Sequence, residues 1–223
     1  MPIARVSVAG SDCLALIMAR PRTDIAIKKQ ELVEAAEALL AIHGASKVTV
    51  SDVSAYCNMS QSNAYRFFPT KAALMTAVAT RWFEDFEQTL SEIAQQSGPA
   101  EAVLKTFLLC QLRLKRDRFD QNPKLFQAYL DLAAQNMDAV RGHVRAMSEL
   151  LQTLVDRWLE ESRLTHLDGL TVAHIIEDGT LLFRDPYVIA RRRDACTDVR
   201  ACAVIDGLLE GIRHPDEERE CHG

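Results

Sequence analysis

Residues 49–75 read TVSDVSAYCNMSQSNAYRFFPTKAALM, and their pattern decides the fold of this chain of 223 residues. Asp52 to Cys57 offers a short apolar face of Val53, Ala55, Tyr56 and Cys57. Asn58-Met59-Ser60 then interrupts it with residues that favour turns over helix interiors. Ser60 is placed to cap the next helix, which leads with Gln61, Ser62 and Asn63 and ends in Tyr65, Arg66, Phe67 and Phe68. A third helix opens at Pro69-Thr70-Lys71, with Thr70 as its cap. Two short helices across a tight turn, with a polar leading edge and an apolar trailing end on the second, make a helix-turn-helix that reads double-stranded DNA. A recognition helix enters the major groove with its N-terminal residues foremost while its far end stays anchored in the domain.

Around this stretch, Thr49-Val50, Asp52-Val53, Ser60, Tyr65, Phe68, Lys71 and Leu74 resemble the N-terminal signature of the TetR family of bacterial transcription regulators. The resemblance reaches back through the preceding helix to its Gly44. Two positions depart from it: Ser62 stands where the family often has Gly, and Ala64 where it usually has a larger aliphatic residue. The likeness implies an all-α fold in which a three-helix head is followed by a larger helical-bundle body for ligand binding and dimerisation. It also implies phosphate contacts at Tyr65 and Lys71.

The composition agrees with a helical, cytoplasmic protein. Nearly half the residues are apolar, with nine Gly and seven Pro, which permits a sizeable core and makes helix the expected state. The formal net charge of −5 is uneven: residues 1–81 hold nine Lys and Arg against six Asp and Glu, the remainder 17 against 25. A basic head on an acidic body suits a protein that meets DNA with one end. Six scattered cysteines without a C-x-x-C pair suggest reduced thiols rather than a disulfide framework or zinc site. The apolar run Cys13–Ala19 is too short to span a bilayer, so no membrane association is expected. Neither a nucleophile and base pair nor a carboxylate pair stands out, so the chain is not read as an enzyme. No cofactor or metal is expected.

Along the chain, residues 1–22 form a flexible arm whose Arg20 and Arg22 either stay solvated or reach DNA. Met18-Ala-Arg-Pro-Arg offers an initiation site alternative to Met1. Residues 23–78 make the DNA-binding domain, beginning with a helix over Asp24–His43. Residues 79–213 make the body and 214–223 a frayed tail. A long helix from Pro69 through Leu90 bridges head and body. The body then continues past the Gly98-Pro99 break with a helix over Ala102–Leu114 that closes in a solvated charged run, Arg113–Arg118. Further helices run over Lys124–Ala134, Met137–Leu159, from Asp168 or Thr171 to Phe183, and over Val199–Ile212, with Pro186 breaking the chain before the last.

Base reading falls to Gln61, Ser62 and Asn63, with Arg66 taking a guanine or a phosphate according to its side of the helix. Tyr65 is either a phosphate contact or a packed aromatic. Thr49 either bonds a phosphate or caps the helix after it, and Lys28 is either a phosphate contact or part of a solvated face. For a small, mostly apolar effector, the candidates are Trp82, Phe86, Phe107, Cys110, Phe126, Tyr129, Met147 and Trp158, although such a stripe serves equally as core. His174 shares a helix face with Glu177 and Asp178 and offers a polar contact. For a homodimer interface, the apolar residues of the last two long helices are expected: Val172, Ile176, Gly179, Phe183, Val199, Cys202, Ile205 and Leu209. The expected function is therefore a ligand-responsive repressor on a palindromic operator. The alternative is a regulator of the same fold without an inducer, acting by partner recruitment or as an activator.

Overall fold

A computed structural model of the protein describes residues 22–214, so the sequence-predicted arm up to residue 21 and the tail from 215 lie outside the described residues. All regular structure among the described residues is helical. Helix α1 (Arg22–His43) ends where Gly44 takes a left-handed φ of 77°, a conformation that glycine adopts without strain. Helices α2 (Val50–Tyr56) and α3 (Gln61–Phe67) follow. Between them Asn58 sits at φ 50° and Met59 N–H reaches back to Ser54 C=O at 2.8 Å, so the turn closes as a Schellman-type cap. Thr49 and Asp52 form a reciprocal capping box at the start of α2. Ser60 does not cap α3; its hydroxyl lies 3.4 Å from that of Ser62 instead.

Thr70 caps α4 (Lys71–Ala94), its hydroxyl accepting from Ala73 N–H at 3.0 Å. The body continues with α5 (Ala100–Gln121), α6 (Pro123–Gln135) and α7 (Met137–Glu161), then α8 (Gly169–Gly179), α9 (Leu181–Arg184), α10 (Pro186–Arg191) and α11 (Asp198–Arg213). None of the described helices is long and apolar enough to cross a membrane. The helix expected to run to Phe183 is broken at Thr180, which is buried and donates its hydroxyl to Ile176 C=O at 2.6 Å. Such back-bonding competes with the helical ladder and bends it. Gly179 lies so close to α11 that a Cβ there would meet Leu208 at 2.6 Å, so its missing side chain lets the two helices approach.

Two main apolar cores meet along α4. The first holds α1, α2, α3 and the α4 residues Leu74 to Phe83, and is completed by Phe126, Tyr129, Leu130 and Leu132 of α6. The second holds Phe86 and Leu90 of α4 with α5, α7, α8 and α11. The seam between them lies between Phe83 and Phe86, and α6 packs with the first core.

Helix α5 corrects the reading of the charged run. It continues to Gln121, and its buried positions Val103, Leu104, Phe107, Leu108, Gln111, Leu112 and Lys115 keep a steady three-four spacing. Lys115 therefore points inward rather than into solvent. Arg116 and Arg113 pair with Asp198 at the start of α11 at 2.5 and 2.8 Å.

Trp158 is 1% exposed at the centre of the second core. Trp158→Ala is expected to cost about 3–5 kcal/mol, read as a fall in the urea midpoint with an unchanged slope. A loss below about 1 kcal/mol would show that this indole is not packed as described.

Candidate functional site

The head presents its recognition helix by burying one side of α3. Ala64 and Phe68 are fully buried, and Phe67 packs partly against the same core. A small residue at 64 lets α3 sit close to its neighbours. Gln61, Ser62, Tyr65 and Arg66 are exposed and Asn63 is half-buried, so one continuous polar face leads toward solvent. Tyr65 is 42% exposed, which leaves its ring outside the packed core.

The remaining sequence-predicted DNA contacts have intramolecular partners. Thr49 donates its hydroxyl to Asp52 at 2.6 Å and accepts from Asp52 N–H at 3.2 Å. The Asp52 carboxyl is held below its usual range chiefly by the hydrogen bond from the Thr49 side chain. Lys28 pairs with Glu31 at 2.6 Å, one turn along α1. Lys71 donates to Ser46 C=O at 2.9 Å and so ties the start of α4 to the turn before α2. That bond fixes the helix start, with its free amide groups, beside α3.

In the body a cavity of about 510 Å³ opens at the seam of the two cores. Its walls come from α4 (Trp82, Phe83, Phe86), α6 (Leu130, Ala133, Ala134) and α7 (Val140, His143, Met147), with Gln111 and Lys115 of α5, Glu177 of α8, Arg184 of α9, and Asp185 to Tyr187 also in the lining. Of the nine predicted effector residues, Trp82, Phe86 and Met147 line it. Phe107, Phe126 and Trp158 are buried in the cores, and Cys110 packs beside the second core, because periodicity marks the inward side of a helix without distinguishing core from cavity wall. Tyr129 stacks on Trp82 at 4.8 Å from behind the wall. His174 is exposed, away from the cavity.

The polar members of the wall are the residues that sequence reasoning passed over. Gln111 is 2% exposed and Lys115 8% exposed. Lys115 Nζ donates to Arg184 C=O at 2.6 Å and sits 4.9 Å from the centre of the Phe86 ring. Burial, aided by the nearby Arg184 charge, pushes its pKa down to about 7. His143 bonds Glu87 at 2.8 Å and stacks on Phe83, and burial lowers its pKa against the pull of Glu87. The signal for Gln111 and Lys115 was present in the sequence, since they continue the apolar stripe of α5 at the same spacing.

The predicted dimer residues divide into two sets. Val172, Ile176, Phe183, Ile205 and Leu209 are buried within the chain's own cores, so they are unavailable to a second copy. The most apolar stripe of each helix was taken up internally. Val199 is 81% exposed, Gly179 is exposed and Cys202 half-buried. Leu170 and Ile175 of α8 are also exposed.

Comparison with known proteins bears on both halves. Residues 32–78 match the family described as "Bacterial regulatory proteins, tetR family", and residues 100–205 match "Tetracyclin repressor-like, C-terminal domain". The HTH-type transcriptional regulator RutR of Escherichia coli K12 is 23% identical over 162 residues, covering 72% of this chain and 76% of RutR. A TetR-family regulator from Pectobacterium atrosepticum superposes with a TM-score of 0.63 at 17% identity, over 86% of this chain and 95% of its own. FadR of Bacillus subtilis, solved in complex with stearoyl-CoA, superposes at 0.56 with 12% identity, over 82% of this chain and 96% of its own. With a head whose recognition helix is exposed and family matches over both head and body, the chain belongs to the TetR family of DNA-binding bacterial transcriptional regulators.

Proposed function

We propose that this regulator is a homodimeric repressor of a palindromic operator, released when a small molecule enters the body cavity. The observation that carries the proposal is the position of that cavity, which shares Trp82, Phe83 and Phe86 with α4, the helix that begins beside the recognition helix. A ligand in contact with those residues acts directly on the element that sets the head's orientation. FadR, solved with stearoyl-CoA, supports a body that accepts small molecules. The cavity itself argues against the reading in which the fold works without an effector. Release demands that the ligand favour the DNA-incompetent arrangement, since equal affinity for both shifts nothing.

For the dimer, the exposed apolar residues of α8 and α11 are the favoured contact, with a second copy of the chain as the partner. A twofold axis there pairs the same patch from both copies, and the two recognition helices read half-sites about 34–36 Å apart. Gln61, Ser62, Asn63 and Arg66 read bases. Tyr65 and the amide groups at the start of α4, steadied by Lys71, take phosphates, while Lys28 and Thr49 support the head through Glu31 and Asp52. The operator lies in the cytoplasm.

Selection of bound DNA from a random pool should return an inverted repeat. Against that site, Gln61→Ala and Arg66→Ala are expected to cost about 1–3 kcal/mol each at one base position if they read bases. A uniform loss across sequences with a shallower salt dependence would reassign either residue to phosphate. Ile175→Glu with Val199→Glu should convert the dimer to a monomer in light scattering and weaken operator binding. A doubly substituted chain that remains dimeric would place the interface elsewhere.

A further inference from the structure

Several residues that line the cavity hold buried hydrogen-bond donors without a protein partner. Among the described residues, buried side-chain polar atoms without a protein partner are Trp82 Nε1, Gln111 Nε2, Trp158 Nε1 and Arg184 Nε. All four are donors, and three belong to residues that line the cavity. Lys115 adds an ammonium group whose one hydrogen-bond acceptor is the Arg184 carbonyl. Gln111 and Lys115 stand one turn apart on α5, so both present to the same patch of wall.

Two carboxylates share the wall, each engaged through one oxygen. Glu177 accepts from the Ser148 hydroxyl at 2.7 Å and lies 3.6 Å from the Arg184 guanidinium. Asp185 attracts Lys115 and accepts through one oxygen from the first amides of α10, Tyr187 N–H at 2.7 Å and Val188 N–H at 3.0 Å. His143 is turned to Glu87. The wall is otherwise largely apolar, with Leu130, Val140, Val144 and Met147 joining the aromatic rings of α4.

We propose that the effector is an amphipathic anion, a carboxylate on an apolar body, whose oxygens accept from Gln111 and Lys115 while the apolar part fills the α4–α6–α7 side of the cavity. The inference deepens the ligand-release reading and rests on it only for the regulatory consequence. A neutral apolar ligand leaves buried donors unpaired, which costs affinity; a cation meets Lys115 and Arg184. The Lys115 ammonium near neutrality adds a linkage: a bound anion raises its pKa, so binding takes up a proton above about pH 7. Arg184 works against protonation of Lys115 and Asp185 works for it, while Lys115 and His143 of α7 each disfavour the other's charged form.

The test is calorimetric titration of the full-length protein with decanoate, decanol and decylamine, each below its micelle concentration, and the same titrations with Lys115→Met and Gln111→Leu. Wild type should prefer decanoate by about tenfold or more over either other probe, each tenfold being about 1.4 kcal/mol. Lys115→Met should abolish that preference and retain or improve decanol binding. Wild-type affinity for decanoate should fall severalfold from about pH 6 to about pH 8.5, and this dependence should vanish in Lys115→Met. Because a buried charge is exchanged for an apolar chain of similar volume, Lys115→Met should also melt a few degrees higher, which separates lost recognition from lost folding. Equal or tighter binding of decanol or decylamine to wild type, an unaltered preference in Lys115→Met, or no binding of any probe overturns the proposal. Gel shift with the same probes addresses the regulatory reading separately: decanoate that binds through Lys115 without releasing operator DNA leaves the anion site standing and defeats induction.

Discussion

The Trp82 indole is the contact through which head and body hold one another. It stacks on Tyr129 at 4.8 Å, meets Phe126 edge-on, and carries the Arg118 guanidinium 5.5 Å from its ring centre. Tyr129 in turn donates to Glu37 of α1 at 3.0 Å, a carboxyl whose pKa burial raises. Arg118 donates to the Trp82 carbonyl at 3.2 Å. One aromatic residue on α4 thus touches α5 and α6 and, through Tyr129, the first helix of the head. The same residue lines the cavity. Moving Trp82 therefore disturbs a packed cluster that resists continuous deformation, and a second arrangement of that cluster is what a ligand would select.

The secondary links run the same way. Arg81 pairs with Glu34 at 3.1 Å, joining α4 to α1, and the Thr76 hydroxyl donates to Asn136, the residue that ends α6 and begins α7, at 2.9 Å. Both lie on α4 between its head-facing start and the cavity. The exposed Arg81–Glu34 pair contributes modestly by itself. Its value is geometric, because it makes the rotation of α4 and the position of α1 one variable. Neither pair was visible as such in the sequence, since their partners are 47 and 60 positions apart.

The head was legible because its signals are local. Thr49 and Asp52 form a box within one turn, Asn58 ends a helix by its own backbone preference, and Thr70 caps the next helix three residues on. Each depends on neighbours in sequence, which is where sequence reasoning is strongest. The body was legible as helices but not as surfaces. Val172 and Ile205 carry the same periodic mark whether they face a second copy or their own core, and only the packing of α8 on α11 decides. Phe107 and Trp82 likewise share one pattern, yet one is core and the other cavity wall. The charged run after Leu114 misled for a different reason. Its composition suggested a solvated end, while the three-four spacing carried Lys115 inward. Period outranked composition at that position.

Under the proposed anion recognition, that inward lysine reflects selection on recognition rather than on stability. An ammonium group buried without a hydrogen-bonded carboxylate is unfavourable for folding below the pH at which it would ordinarily lose its proton, and an apolar residue would fit the stripe of α5 better. Gln111, one turn earlier, adds a donor that the fold does not use. Proteins keep such costs where a ligand repays them. The magnitudes are compatible with switching: hydrogen bonds to charged groups contribute about 1.5–3 kcal/mol each, and reversing a strongly biased two-state equilibrium takes about 5.5 kcal/mol. Two such bonds made in only one arrangement of α4, together with the apolar contacts of Trp82 and Phe86, reach that figure. Contacts made equally in both arrangements contribute nothing to it, so under the proposed release by ligand the part of the cavity that matters is the part whose walls would move with α4.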